Sequence, residues 1–151
     1  MAAMRHAGGC HCGNIALEFE SAIDPAEIEV RACQCAFCRK HNSRAVTDPA
    51  GRVTIRVADA TELQRYMFGL RTAAYLVCRH CGVYVAAVTE GEPELRAIAI
   101  VSALDDHRRF TRAPLAVDYD AEDRGARVER RRTRWTPATL TIAGQEPSAS
   151  G

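Results

Sequence analysis

Cys33-Gln34-Cys35-Ala36-Phe37-Cys38 sets three thiols within six residues, a density that ordinary packing does not need. The other four cysteines form two pairs, Cys10-His11-Cys12 before this run and Cys78-Arg79-His80-Cys81 after it. The order Cys-x-Cys, Cys-x-Cys-x-x-Cys, Cys-x-x-Cys accounts for all 7 cysteines. Thiols at such spacings in a reducing compartment serve as metal ligands more readily than as disulfides, and an odd total cannot pair completely within one chain.

Upstream of the run, Ile28 and Val30 alternate with Glu29 and Arg31. That alternation predicts a strand running into Cys33, with Cys33 and Cys35 on one face. Further back, Gly8-Gly9-Cys10-His11-Cys12-Gly13 reads as a glycine-bracketed turn, followed by a half-buried strand in which Ile15, Leu17 and Phe19 face one way. Downstream, the residues from Arg39 to Arg44 are polar and basic, and strands are expected over 45–47 and over the alternation Val53, Ile55, Val57. Two more, over 66–68 and 72–77, flank Gly69-Leu70-Arg71, the second leading into Cys78; residues 83–88 and 95–101 then form a hairpin across Glu90-Gly91-Glu92-Pro93. After Ser102 the pattern changes: 104–110 reads as a helical turn, and a helix capped by Asp120 extends to about Trp135. The chain past residue 143 is small and polar, so a single mainly β domain over 1–143 and a disordered tail over 144–151 are expected.

Composition supports one globular unit. At 151 residues, with 47% hydrophobic and 26% charged, the chain fits one domain with a real core. Its net charge of +1 exerts no general pull on nucleic acid or anionic membrane. No stretch approaches the roughly 18 apolar residues of a membrane span, and no leader is evident, so a soluble, cytoplasmic protein is expected.

The spacing points to two kinds of metal site. Cys10, Cys12, Cys78 and Cys81 can saturate the tetrahedral preference of Zn²⁺ and staple the start of the sheet to its end, which makes a structural site. The competing view is two unrelated pairs of buried thiols. Cys33, Cys35 and Cys38 leave Zn²⁺ one donor short, and an open position separates a catalytic zinc from a structural one. His41 could close that shell, or the three thiols could hold no metal and act as a redox-sensitive cluster. No role can be assigned to His6, His11 or His80, and His107 reads as a surface residue. Arg39, Lys40 and Arg44 are the candidates for holding a substrate carboxylate. The Arg-rich run over 124–134 reads as a solvated helix face.

Gly9-Cys-His-Cys-Gly13, Cys33-Gln-Cys-Ala-Phe-Cys-Arg-Lys40 and Cys78-Arg-His-Cys-Gly-Val83 together resemble the glutathione-dependent formaldehyde-activating (Gfa) family over about residues 8 to 110. The resemblance implies a β-tent zinc fold, with short helices expected towards the C-terminus. It implies a carbon–sulfur lyase activity in which glutathione adds reversibly to formaldehyde to give S-hydroxymethylglutathione. It places a structural zinc on Cys10, Cys12, Cys78 and Cys81 and a catalytic zinc on Cys33, Cys35 and Cys38. The implied partners are a small-molecule thiol and a small aldehyde, with no nucleic acid and no membrane, and a homodimer is compatible. Centromere protein V-like domains resemble the same family, which makes a non-catalytic zinc-stabilised binding module the alternative.

Overall fold

The computed structural model describes residues 2–145 and the backbone of Ser148–Ala149. Its strands are β1 (Met4–Gly9), β2 (Ile15–Ser21), β3 (Arg31–Cys33), β4 (Ala45–Val46), β5 (Arg52–Val57), β6 (Leu63–Tyr66), β7 (Ala73–Cys78), β8 (Tyr84–Thr89), β9 (Arg96–Ile100), β10 (Leu115–Val117), β11 (Thr136–Ile142) and β12 (Ser148–Ala149). Two α-helices accompany them, α1 (Ala36–His41) and α2 (Arg124–Arg134). The chain is mainly β, as expected.

The strands follow the order β1-β2-β5-β11-β9-β4-β3-β10, and β6, β7 and β8 join through the other edge of β9. β11 is the seam. Its residues 138–142 run parallel to β5, whereas Thr136 and Pro137 pair antiparallel with β9. Pro137 sits where the strand changes partners, a position at which a missing N–H is tolerated. Along β11 every second residue is buried, and Ala138, Leu140 and Ile142 join Ile15, Leu17, Phe19, Val53 and Ile55 in one core. Such alternation is what a strand with one wet face requires.

Several local expectations change. Ile28 and Val30 are buried but lie outside any strand, because the N–H groups of Glu27 and Ile28 both donate to the Asp24 carbonyl and curl the chain there. β3 is therefore only three residues long and ends at Cys33, so Cys35 is not on its face. Cys35 instead caps α1, a helix not foreseen in the basic segment. The strand expected over 66–68 lies earlier, over Leu63–Tyr66, in register with β7. The cap of α2 is Asp123 and not Asp120, its carboxylate accepting from the Ala126 N–H at 2.8 Å. β1, β10 and β11 were not anticipated either. The tail expectation falls partly outside the described residues; within them, β12 pairs with β11.

β1 also carries His6, to which the sequence assigned no role, into the interior, where its ring lies 5.0 Å from that of Phe110 and Nδ1 meets Asp106 at 2.7 Å. Beside it, Gly8 forms a bridge with Leu104. A Cβ on Gly8 would collide with the Ala103 carbonyl oxygen and sit 2.7 Å from Leu104 Cα, both backbone atoms that cannot swing aside. Gly8→Ala is thus expected to lose about 1–3 kcal/mol in a denaturant titration, the range of an overpacked core site.

Candidate metal centres

The first cluster is built from two matching knuckles. In one, the Cys10 N–H donates to Ile15 O at 2.9 Å and the Gly13 N–H to Cys10 O at 3.3 Å. In the other, the Cys78 N–H donates to Val83 O at 3.0 Å and the Gly82 N–H to Cys78 O at 2.8 Å. Each turn closes on a glycine in the left-handed region, Gly13 at φ 89° and Gly82 at φ 82°, which a residue with a Cβ adopts at a cost. The four Sγ atoms of Cys10, Cys12, Cys78 and Cys81 lie within 4.8 Å of one another. Cys12 Sγ is 3.7 Å from Cys10 Sγ and 3.6 Å from Cys78 Sγ. A tetrahedron with zinc–sulfur bonds of about 2.3 Å has sulfur–sulfur edges of about 3.8 Å, so the donor set fits a four-thiolate ion. Backbone N–H groups at Ile15 and Cys81 point to the sulfurs of Cys10 and Cys78 at 3.2 and 3.5 Å, as donors to thiolates do.

The second cluster comes from a strand end and a helix start. Cys33 closes β3, Cys35 caps α1 and accepts from the Cys38 N–H at 3.4 Å, and Cys38 is buried in the helix's first turn. Their three Sγ atoms also lie within 4.8 Å of one another, and no His, Asp or Glu among the described residues joins them. His41 does not close the shell; its ring packs 4.5 Å from Phe37 and 5.3 Å from Tyr84. Hydrogen bonds from Cys33 and then Cys38 hold the Cys35 thiol down to about 2. Hydrogen bonds with Cys33 and then Cys35 push Cys38 far above its ordinary value, and Cys35 raises Cys33. One thiolate forms readily and the next two are opposed, which is the electrostatics of a site that needs a cation before all three ionise.

Cys33 and Cys35 open on a groove of about 470 Å³ lined also by Phe68, Tyr75, Arg127 and Arg130. Behind it lies a smaller cavity of about 60 Å³, reached by Cys33 and Cys38 and bounded by Arg31, Tyr84, Arg131 and Trp135. An aromatic cluster walls this region: the Phe37 ring centre lies 5.5 Å from that of Phe68, 4.9 Å from Tyr75 and 5.1 Å from Tyr84. Burial pushes the Tyr75 phenol up to about 12 and Tyr84 well above its usual value, so both remain neutral donors at physiological pH.

The basic groups in the groove are not those singled out from the sequence. Arg39, Lys40 and Arg44 are exposed, and none of them lines the groove or the inner cavity. The arginines that do so belong to α2, whose run was read as a solvated face. Arg131 is buried, and Arg127 and Arg130 share Glu122 at 3.3 and 2.8 Å. Arg130 also stacks 3.5 Å above the Tyr119 ring, and Arg131 lies 4.7 Å over Trp135. Positions 127, 128, 130, 131 and 135 form the inward stripe at helical spacing, and the Arg131–Trp135 pair one turn apart was its visible signature in the sequence. Because Asp123 starts this helix, Asp123→Ala is expected to lower the melting temperature by about 2–4 °C, the size of one lost N-cap in a chain of this length.

Two comparisons bear on this arrangement. The sequence model of the glutathione-dependent formaldehyde-activating enzyme family matches residues 5–117, a span holding all seven cysteines. A crystal structure of a Rhodobacter sphaeroides protein superimposes with a TM-score of 0.55 at 33% sequence identity, covering 74% of this chain and 99% of the other. No helix among the described residues is long and apolar enough to cross a membrane.

Proposed function

The chain belongs to the glutathione-dependent formaldehyde-activating family, and from that premise we propose that it is a zinc-dependent carbon–sulfur lyase, adding a thiol such as glutathione reversibly to formaldehyde or another small aldehyde. The observation that carries this reading is the three-thiol cluster, joined by no fourth Cys, His, Asp or Glu among the described residues and opening on a groove large enough for a thiol of several hundred daltons. Zinc held by Cys33, Cys35 and Cys38 would supply a Lewis acid for the carbonyl oxygen or keep an incoming thiol ionised at neutral pH. Cys10, Cys12, Cys78 and Cys81 would hold a second zinc with a structural role.

The surrounding residues divide the remaining work. Phe68 and Tyr75 line the groove beside Cys33 and Cys35, with Phe37 packed against both, and this apolar wall would limit the water that competes with the thiol for the aldehyde. Arg127 and Arg130, oriented by Glu122, face the groove and are placed to hold the carboxylates of a thiol peptide, the role assigned at first to Arg39, Lys40 and Arg44. Neutral Tyr75 lines both the groove and the inner cavity and offers a hydroxyl to a developing oxyanion.

The test is an exchange experiment by NMR, pairing glutathione and other thiols with formaldehyde and short aldehydes. Interconversion faster than the uncatalysed background for at least one pair is the expected result. Background rates for every pair would favour a non-catalytic binding module.

A further inference from the structure

We propose that the cavity behind the three thiols binds a small carboxylate, and that the aldehyde taken by this site is therefore a short oxo acid whose carboxylate lies between Arg31 and Arg131. This deepens the lyase reading and rests on it.

Arg31 and Arg131 are 8% and 6% exposed, and both line the inner cavity. A buried guanidinium is expensive unless an anion accompanies it. Among the described residues neither has a carboxylate partner. Arg31 donates to the Thr47 hydroxyl at 2.6 Å and Arg131 to that of Thr72, both neutral acceptors, and Arg131 Nε has no partner at all. The Trp135 face offsets part of the Arg131 charge and none of the Arg31 charge. Nor do the thiols suffice. Three thiolates around a divalent ion would carry only one net negative charge, and Glu29 and Glu122 act on Arg31 and Arg131 from beyond ion-pair distance among the described residues.

A third group points the same way. Tyr84 is 4% exposed, lines the cavity, and its hydroxyl has no hydrogen-bond partner. Two buried cations and an orphaned phenol around one cavity form the donor set of a carboxylate site. Size selects the ligand. About 60 Å³ accommodates a few water-sized groups, hence a carboxylate with one or two carbons and not a tripeptide, which is left to the groove outside. Formaldehyde carries no charge to match the arginines, whereas an oxo acid with an aldehydic carbonyl places its carboxylate on them and its reacting carbon towards Cys33 and Cys38. In the addition the thiol sulfur bonds to the carbonyl carbon, the C=O π bond breaks, and the thiol proton ends on the former carbonyl oxygen. Nothing is oxidised, and the carboxylate only holds position.

The test is calorimetric titration of the metal-loaded protein with oxamate, an unreactive amide analogue of glyoxylate, using formamide as the neutral control. Oxamate should bind and formamide should not. Arg131→Gln and Arg31→Gln should each weaken binding at least about tenfold, with Arg131→Lys recovering part of the loss. Tyr84→Phe removes a hydroxyl that has no partner, so it should melt like the parent and still bind oxamate more weakly. Equal oxamate affinity in the folded Tyr84→Phe and Arg131→Lys proteins, or no binding to the parent at tens of millimolar, would overturn the carboxylate site. The source of the carboxylate is read separately by NMR, with 2-mercaptoethanol as an uncharged thiol. Glyoxylate turning over faster than formaldehyde, with the advantage lost in Tyr84→Phe, supports the oxo acid. An advantage that follows glutathione over 2-mercaptoethanol places the carboxylate on the thiol and overturns the assignment of the aldehyde. Oxamate binding without turnover of any pair leaves the carboxylate site standing and removes the lyase reading.

Discussion

Cys35→Ser is expected to fold normally, to carry one equivalent of metal where the parent carries two, and to lose thiol–aldehyde turnover by at least about 10³-fold. Folding survives because Cys35 is the N-cap of α1, where its sulfur accepts from the Cys38 N–H, and serine is among the best residues for that position. The metal is lost because three thiols are the donors that converge there among the described residues, and a neutral hydroxyl replaces the one that ionises readily. A 10³-fold loss corresponds to about 4 kcal/mol of transition-state stabilisation, a modest share of what a Lewis acid supplies to a polarised carbonyl. Elemental analysis, a thermal melt and the NMR exchange rate read the three effects independently. Parallel loss of folding and metal would mean that this cluster is structural.

Cys78→Ser should behave in the opposite way. Cys78 is fully buried at the end of β7, and its sulfur lies 3.6 Å from that of Cys12, 66 positions earlier. An ion across that gap closes a long loop, and by the chain-entropy argument used for disulfides this contributes about 4 kcal/mol. For a domain of this size the loss translates to about 10 °C or more in melting temperature. The same destabilisation should follow when the parent protein is stripped with a strong chelator, while Cys35→Ser melts within a few degrees of the parent. A Cys78→Ser protein that melts with the parent and retains two metal equivalents would refute the staple.

The two sulfur clusters were legible in the sequence, because a metal site written as Cys-x-x-Cys is encoded by neighbours in the chain. Both sulfur clusters converge as their spacings suggested, and the strands with clean alternation, such as Ile15–Ser21 and Arg52–Val57, lie where the pattern put them. What the pattern missed depends on partners far away in the chain. β11 alternates well but follows an arginine-rich helix and contains Pro137, and only its partners β5 and β9 make it a central strand. α1 is too short to show a helical period and is held by its cap and its place beside β3. Arg131 looked like one more solvated charge, and its burial is decided by Trp135, Thr72 and the cavity it closes. Trp135, one turn on, was the local sign of that burial, while Thr72 and the rest of the cavity wall lie tens of residues away and left none in the charge run itself.

Zinc K-edge X-ray absorption on the fully loaded protein tests the central claim most directly. With one four-sulfur site and one three-sulfur site, the average should be 3.5 sulfurs and about half an oxygen or nitrogen donor per zinc, rising to four sulfurs in Cys35→Ser. The light donor should give way to sulfur when a thiol substrate is added to the parent. A histidine scattering signature that persists under saturating thiol, or a protein that never takes up a second ion, would contradict the account.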